Sequence, residues 1–420
     1  MAFTNKVRIK VLPEAFLYAP LFAAYNRQKE MTFQEIAKNV IAVRTDDAER
    51  KLFDQLVPLP EGTSYNSYII RGQNAVMLVD GTYAPKAGEF IAYLRQNGVD
   101  KIDYIVANHG EEDHTGALPE MLKAYPSAKV LTNAKCAEII KDALHIPAEK
   151  IEIFADNQSY DLGGKTVKFM LAPWVHWPDT SFAYLPEDNI LFSTDFFGAH
   201  IASDRVFSPD NAETALAAKR YYAEIMQPFA NFCLKYCGVV RKLNPAIIAP
   251  SHGLVYKNPD FIISLYEKWA NPVPEKKVVI AYVSMYGHVG QMCKVLNEAL
   301  IEEGVKTELI DIAEKDIGEF AMSLIGASVL VVGASMVLAG PHPVAVSACY
   351  VANLLRPKIK YLSVIGSFAW GGVLQKKIEE LFATTKPERL PDVIVKGAAS
   401  DGQMQQVKEL AKTIAEKLRQ

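Results

Sequence analysis

The stretch Asn108-His109-Gly110-Glu111-Glu112-Asp113-His114-Thr115-Gly116 decides how the rest of this chain is interpreted. Within six positions it offers four potential metal ligands in the order H-x-E-x-D-H, and it directly follows the apolar run 102–107. A loop that leaves a buried strand can direct several side chains to one point, as a coordination sphere requires. The stretch therefore predicts a metal site at a strand end, formed by His109, Glu111, Asp113 and His114.

Three further ligand candidates each lie in a short polar break after an apolar run, namely His176, Asp195 and His252. Taken alone, each is better explained by a structural role, as part of a capped turn or as a histidine satisfied in the core. Together they repeat one arrangement, in which an apolar strand delivers one ligand at its end, and this favours a shared metal site. We expect structural roles for the other histidines, which lack that setting: His145, His200, His288 and His342.

Length and composition restrict the class of protein. A chain of 420 residues exceeds what one hydrophobic core normally serves, so two or more domains are expected. The net charge of -3 does not indicate a basic surface for nucleic acid or an anionic membrane. No apolar run approaches the roughly 18–20 residues that span a bilayer. The five cysteines contain no C-x-x-C pair, which argues against a disulfide framework, a thiolate metal site or a rubredoxin module. We expect a cytoplasmic protein.

The chain divides near the proline-containing segment 269–276, a stiff and exposed connection. Residues 1–270 are predicted to form one domain, in which short β-like runs alternate with helical runs, as in a layered α/β fold. Residues 1–30 are an extension, expected to be a packed arm, with an organelle-targeting segment as the alternative. In the second domain, residues 271–420, strands at 278–283, 329–333 and 361–366 suggest an open parallel sheet, with a helix over 291–302.

The first loop of that second domain, 284–290, offers a helix N-terminus to a phosphate. No G-x-G-x-x-G follows the first strand, so a mononucleotide is favoured over a dinucleotide. An ordinary strand-to-helix turn explains this loop alone equally well. The phosphate-binding interpretation is favoured only when the loop is considered together with the three predicted strands of the parallel sheet.

Glu111 bears on the metal and on the chemistry. The zinc hydrolases of the metallo-β-lactamase fold carry H-x-H-x-D-H, and this chain has a carboxylate in place of the second imidazole. A carboxylate hardens the site and favours iron or manganese over zinc. With Asp113 and Asp195 it gives three negative charges against two divalent cations, which favours redox chemistry over hydrolysis.

Four motifs, at 109–114, 175–179, 191–195 and 249–253, resemble those of the flavodiiron proteins, and the resemblance covers nearly the whole chain beyond residue 35. It implies a metallo-β-lactamase-like αββα sandwich followed by a flavodoxin-like doubly wound parallel sheet. It also implies two iron ions, one held by His109, Glu111 and His176, the other by Asp113, His114 and His252, with Asp195 as the bridge.

The resemblance implies flavin mononucleotide (FMN) as the second cofactor. The residues expected to bind it form three loops: Ser284, Met285, Tyr286, Gly287, His288 and Val289; Ser335, Met336, Val337 and Leu338; Ser367, Phe368, Ala369, Trp370, Gly371 and Gly372. The first loop departs from the family pattern at Val289, where a hydroxyl residue is usual, and at the bulky His288. The second loop lacks the usual Pro-Thr and Asn, whereas the third fits well.

The leading hypothesis is an oxidoreductase that reduces dioxygen to water, nitric oxide to nitrous oxide, or both. The resemblance implies rubredoxin, another flavoprotein or a reduced deazaflavin as electron donor, and a head-to-tail homodimer or a dimer of dimers. One alternative is a metal-dependent hydrolase with a regulatory flavodoxin-like domain, against which Glu111 argues. Another is an electron carrier with a purely structural first half, against which the complete ligand set argues, because seven surplus ligands would be a costly buried cluster.

Overall fold

The computed structural model describes residues 31–420, so the predicted extension at 1–30 lies outside the described residues. Between residues 31 and 270 the strands are β1 (Met31–Ala37), β2 (Val40–Asp47), β3 (Leu52–Phe53), β4 (Val57–Pro58), β5 (Thr63–Arg71), β6 (Val76–Val79), β7 (Tyr104–Ala107), β8 (Lys129–Thr132), β9 (Ile151–Ile153), β10 (Ser159–Asp161), β11 (Thr166–Leu171), β12 (Ser181–Leu185), β13 (Ile190–Thr194) and β14 (Ile247–Pro250). The α-helices there are α1 (Ala87–Gln96), α2 (Glu112–Thr115), α3 (Leu118–Ala124), α4 (Ala134–Leu144), α5 (Ala212–Tyr221), α6 (Ala230–Leu243) and α7 (Pro259–Ala270).

These strands form two sheets that face each other. The first has the order β1-β2-β5-β6-β7-β8-β9, the second has the order β10-β11-β12-β13-β14, and β3 and β4 form a separate hairpin. Apolar side chains of both sheets, such as Tyr68, Val106 and Phe192, fill the space between them. Helices α1, α3 and α4 cover the outer face of the first sheet, and α5 to α7 cover that of the second. The result is the predicted αββα sandwich.

From residue 277 the strands are β15 (Lys277–Tyr282), β16 (Lys306–Asp311), β17 (Val329–Val337), β18 (Gly340–Pro341), β19 (Tyr361–Phe368), β20 (Glu388–Arg389) and β21 (Val393–Lys396). The helices are α8 (His288–Glu302), α9 (Ile317–Leu324), α10 (Pro343–Leu355), α11 (Leu374–Glu380) and α12 (Asp401–Arg419). The sheet order is β16-β15-β17-β19-β20, parallel along this path, and β21 also pairs with β19.

Helices lie on both faces of this third sheet. Helices α8 and α12 pack on one face, and α9, α10 and α11 pack on the other. A parallel sheet of this strand order, covered on both sides, is the flavodoxin-like doubly wound arrangement. The predicted fold class is therefore confirmed for both parts of the chain.

Two predicted boundaries in this part were wrong. Helix α8 begins at His288 rather than Gln291, because Gly287 adopts a φ of 86° and ends the loop there. Strand β17 continues to Val337 and pairs with β18, so most of the predicted second loop is strand. In both places the helix or strand extends beyond the apolar run from which it was predicted.

The two parts of the chain share packing. One continuous cluster of buried apolar side chains includes Tyr222 and Trp269 on one side of residue 271 and Phe320 and Leu330 on the other. From the second part, the Lys358 Nζ donates to the Ala270 carbonyl oxygen at 2.6 Å. Among the helices of residues 31–420, none is long and apolar enough to cross a membrane.

Candidate metal centre

The seven predicted metal ligands converge at one end of the sandwich. The segment 109–114 follows β7, and His176 lies in the connection between β11 and β12. Asp195 follows β13, and His252 follows β14. Strands β7 and β13 belong to different sheets, so the site lies where both sheets end.

Their potential ligand atoms fall into two adjacent groups, each with all atoms within 4.8 Å of one another: His109, Glu111, His176 and Asp195 in the first, and Asp113, His114 and His252 in the second. Asp195 faces both groups with different oxygens. Its Oδ2 lies 3.4 Å from Nε2 of His109 and of His176. Its Oδ1 lies 3.0 Å from the His114 Nε2 and 3.3 Å from the His252 Nε2.

Several of these atoms are buried without a hydrogen bond to any described residue. They include both carboxylate oxygens of Asp113, the Nε2 of His114 and the Oδ2 of Asp195. The Asp113 Oδ2 lies only 3.0 Å from the His252 Nε2, so lone pairs point at a common space. Buried polar atoms without partners are costly, and a metal ion satisfies them as ligands. Four imidazoles and three carboxylates fit two hard or borderline cations such as iron.

The charges of the ligands are strongly coupled. Burial raises the pKa of the Asp195 carboxyl, but the imidazoles of His114, His176 and His252 outweigh burial and hold this pKa well below its usual range. Burial lowers the pKa of His252, but Asp113 and Asp195 outweigh it and raise the pKa to about 10. For His176 the same competition with Asp195 and Glu111 raises the pKa to about 9. To coordinate a metal, these imidazoles would therefore have to lose their protons.

Further side chains fix the orientation of the ligands. The His109 Nδ1 lies 3.3 Å from the Asp179 Oδ1, and the Asp179 Oδ2 accepts a hydrogen bond from the Gly110 amide at 2.7 Å. The His252 Nδ1 donates to the Ser64 carbonyl oxygen at 2.7 Å. These bonds leave the Nε2 atoms free to face a metal, which is the usual arrangement around metal-binding histidines.

Asp80 connects two ligand loops that come from different sheets. Its Oδ1 accepts from the Asn108 amide at 3.1 Å, and its Oδ2 accepts from the Ser251 hydroxyl at 2.9 Å. Burial raises the pKa of Asp80, although the His114 imidazole and these hydrogen bonds oppose the rise. A single buried carboxyl group therefore fixes the position of the loop before His109 relative to the loop before His252.

Three further residues lie at this site: Asp179 and Tyr221, to which the sequence analysis assigned no role, and His200, for which it expected a structural role. The Tyr221 hydroxyl donates to the Asp195 Oδ1 at 3.1 Å. The His200 ring lies 5.1 Å from the His252 ring, and Phe53 of the β3–β4 hairpin covers His200 at 4.6 Å between ring centroids. Asp179 stands in the motif around His176 and could have been singled out, whereas Tyr221 and His200 lie in no motif.

The predicted flavin residues lie at the carboxyl ends of three adjacent parallel strands, β15, β17 and β19. Ser284 to Gly287 form the loop after β15, whereas His288 and Val289 lie in the first turn of α8. Ser335 to Val337 end β17, and Ser367 and Phe368 end β19, with 369–372 in the following loop. Tyr286 is 83% exposed and Trp370 is 69% exposed. Exposed aromatic rings beside a helix N-terminus fit a planar ring system that carries a phosphate.

Comparisons with known proteins agree with this geometry. Residues 63–253 match the family described as ODP family beta lactamase. The chain is 34% identical over 366 residues to a nitric oxide reductase of Moorella thermoacetica, covering 85% of this chain and 91% of that protein. It is 32% identical to a coenzyme F420H2 oxidase of Methanothermobacter marburgensis, covering 77% of this chain and 83% of that protein.

Solved structures give the same result. The rubredoxin oxygen:oxidoreductase from Desulfovibrio gigas superposes with a TM-score of 0.87 at 28% identity, covering 92% of this chain and 99% of that one. The flavodiiron protein from Giardia intestinalis superposes with a TM-score of 0.84 at 26% identity, covering 93% and 99%. The similarity thus extends over both halves of the chain.

Proposed function

This chain belongs to the flavodiiron protein family, and on that premise we propose that it reduces dioxygen to water, nitric oxide to nitrous oxide, or both, at two iron ions supplied with electrons by FMN. The observation that carries the proposal is the pair of adjacent ligand groups that share the Asp195 carboxylate. A bound pair of ferrous ions supplies electrons and binding positions for a diatomic gas.

In this proposal His109, Glu111 and His176 would hold one iron, Asp113, His114 and His252 would hold the other, and Asp195, which faces both groups, would serve both. The distances support the division, because the Glu111 Oε2 lies 3.1 Å from the His109 Nε2 and 3.2 Å from the His176 Nε2. The three carboxylates offset much of the charge of two cations. The residues around them orient the imidazoles, exclude bulk water and hold the bridging carboxylate.

The second half, 271–420, is proposed to be the FMN-binding domain, and 1–270 the diiron domain. Backbone amides at the start of α8 are proposed to bind the phosphate, and Trp370 and Tyr286 to lie beside the flavin rings. The His288 imidazole is proposed to donate a hydrogen bond to the phosphate. Its place in the first turn of α8 supports that role.

We also propose a head-to-tail homodimer and a cytoplasmic location. Trp174, next to the metal centre, is 40% exposed and its ring lies 6.1 Å from that of Phe229, which in turn lies 6.5 Å from the His176 ring. This aromatic surface suits the exposed flavin loops of a second copy. Two relatives are named for rubredoxin and for coenzyme F420H2, so we propose a rubredoxin or a reduced deazaflavin as electron donor.

The hydrolase alternative is not favoured, since the relatives are named as reductases and oxidases. Glu111 also gives the site the anionic ligand that favours iron over zinc. An electron carrier with a structural first half would leave buried oxygens and nitrogens unsatisfied at this site.

Metal and flavin analysis of the purified chain tests the proposal, followed by anaerobic reaction of the reduced protein with each gas. We expect two irons and one FMN per chain, and water or nitrous oxide as product. Glu111→Gln should lower iron content and gas reduction, whereas Glu112→Gln should change neither, because Glu112 is exposed and Glu111 faces the ligands. Zinc in the site, or equal behaviour of both variants, would contradict the proposal.

A further inference from the structure

Two elements of the first half cover the metal centre, and both rest on helix α9 of the second half. One is α5, whose last residue, Tyr221, donates to Asp195 and is followed directly by a π-helical turn (Tyr222–Met226). The other is the β3–β4 hairpin, where Phe53 and Val57 pack with Ile225 of that turn. Helix α9 contacts both the turn and β4.

Arg220 makes the polar connection between these parts. Its Nη2 donates to the Asp316 Oδ1, and its Nε donates to the Glu224 Oε1 at 3.2 Å. The Arg220 side chain is only 10% exposed and that of Glu224 only 4%. Asp316 is the N-cap of α9 and accepts from the Gly318 amide at 2.8 Å, so the guanidinium is joined to the start of that helix.

Helix α9 approaches this ion pair closely. Gly318 packs directly against Glu224 and Arg220, and a Cβ at this position would overlap both side chains. A planar guanidinium that donates to two carboxylates through different nitrogens has a fixed geometry. π-Helical turns are rare and frequently mark functional sites. Arg220 and Tyr221 are consecutive residues of α5, so the helix segment that Arg220 anchors to α9 is also the segment that carries the tyrosine hydroxyl at Asp195.

We propose that Arg220 is a positioning residue for the metal centre, which ties helix α9 to the bridging carboxylate through Tyr221. The Tyr221 hydrogen bond reaches the same Asp195 oxygen that faces His114 and His252. A hydrogen bond to a ligating carboxylate changes how strongly that oxygen binds a metal. The state of the second half is thereby linked to the strength of one ligand in the first. The inference rests on the proposed function, since it assumes that Asp195 binds iron.

A double-mutant cycle tests the inference with the iron-loaded, full-length protein. Asp316→Asn removes the ionic partner of Arg220 but keeps a good helix N-cap. Tyr221→Phe removes the hydroxyl directly. Asp260→Asn is the control, since it removes an exposed partner of Arg241 between α6 and α7 and touches neither Arg220 nor Tyr221. Thermal unfolding checks each fold, and Arg220→Lys replaces Asp316→Asn in the cycle if that variant is unfolded.

The readouts are iron content, the absorption spectrum of the diferric form and the dissociation constant of azide. We expect iron content to be retained, and the spectrum and azide affinity to change in the same direction in both single variants. Coupling energies of contacting residues correspond to changes of about threefold or more, and here the double variant should show no more than the larger single effect. The control should match the unmodified protein.

The outcomes separate the two ideas. The role of Arg220 would be overturned if the two single effects on azide affinity multiply in the double variant. It would also be overturned if Tyr221→Phe shifts the spectrum and Asp316→Asn leaves it unchanged. Neither outcome would contradict the proposed function. An unmodified protein that binds no iron would contradict the proposed function instead.

Discussion

Replacing Gly318 by alanine is the sharpest test of how the two halves are held together. An ideal Cβ at this position would lie 2.7 Å from the Arg220 Cζ and closer still to the Glu224 carboxylate, inside the 3.0 Å that real Cβ atoms keep. Either the buried Arg220–Glu224 pair must part, or α9 must move away from the π-helical turn.

The expected loss of stability lies between the cost of overpacking the contact with α9 and the cost of separating the Arg220–Glu224 pair. Overpacking a filled site costs about 1–3 kcal/mol. Removing one partner of a buried ion pair costs about 3–5 kcal/mol, but here both partners remain and can reorient. We therefore expect the free energy of unfolding to fall by about 2–4 kcal/mol. If both halves unfold as one unit, the midpoint of thermal unfolding should fall by about 2–5 °C.

Gly238→Ala is the matched control. Gly238 lies inside α6, and a Cβ there would meet nothing within 4 Å. Alanine should raise stability by about 0.5–1 kcal/mol, because glycine is a poor helix former. Circular dichroism follows the unfolding of both variants, and flavin fluorescence follows the part of the chain proposed to bind FMN. A Gly318→Ala protein as stable as the unmodified one would refute the tight contact.

Three further outcomes are expected at the metal centre. His252→Ala should keep the fold and the flavin but lower iron content, measured by metal analysis, because water cannot fill the emptied position equally well; two retained irons would contradict the assignment. Asp179→Asn should weaken metal binding by about 10–100-fold in a chelator competition, since it loosens the ligand it orients; an unchanged affinity would count against this. Metal-free protein should be most stable below the unfolded-state histidine pKa of about 6.5. It should lose stability as pH rises through the pKa values of about 9 for His176 and about 10 for His252, and a flat thermal-unfolding profile across this range would argue against the charged pairs.

The strand-end positions of the ligands could be predicted because the pattern that announces each of them is local. An apolar run followed by a polar break marks both the strand and the residue that leaves it, as with Asp195 after β13. The same locality explains the wrong start of α8. The apolar periodicity becomes clear only after the first turn, whereas the backbone is set by the left-handed φ of Gly287.

The supporting residues could not be predicted in this way, because their roles depend on contacts between distant parts of the chain. Asp179 reaches His109 across 70 positions, and Arg220 reaches Asp316 across 96. His200 was expected to have a structural role, and its place beside the His252 ring could not be predicted from its neighbours in the sequence. Nothing in the residues around Tyr221 or Arg220 distinguishes them from other polar residues of an amphipathic helix.

The single buried carboxyl group of Asp80 has a consequence for how the protein acquires its metals. Because it joins the loops before His109 and His252, hydrogen bonds within the protein restrict the conformation of both loops independently of a metal ion. In small zinc domains, by contrast, the metal must also organise the chain, and removing it unfolds the domain. Here the hydrogen bonds of Asp80 do part of that organising work, so we expect the first half to stay folded when iron is removed.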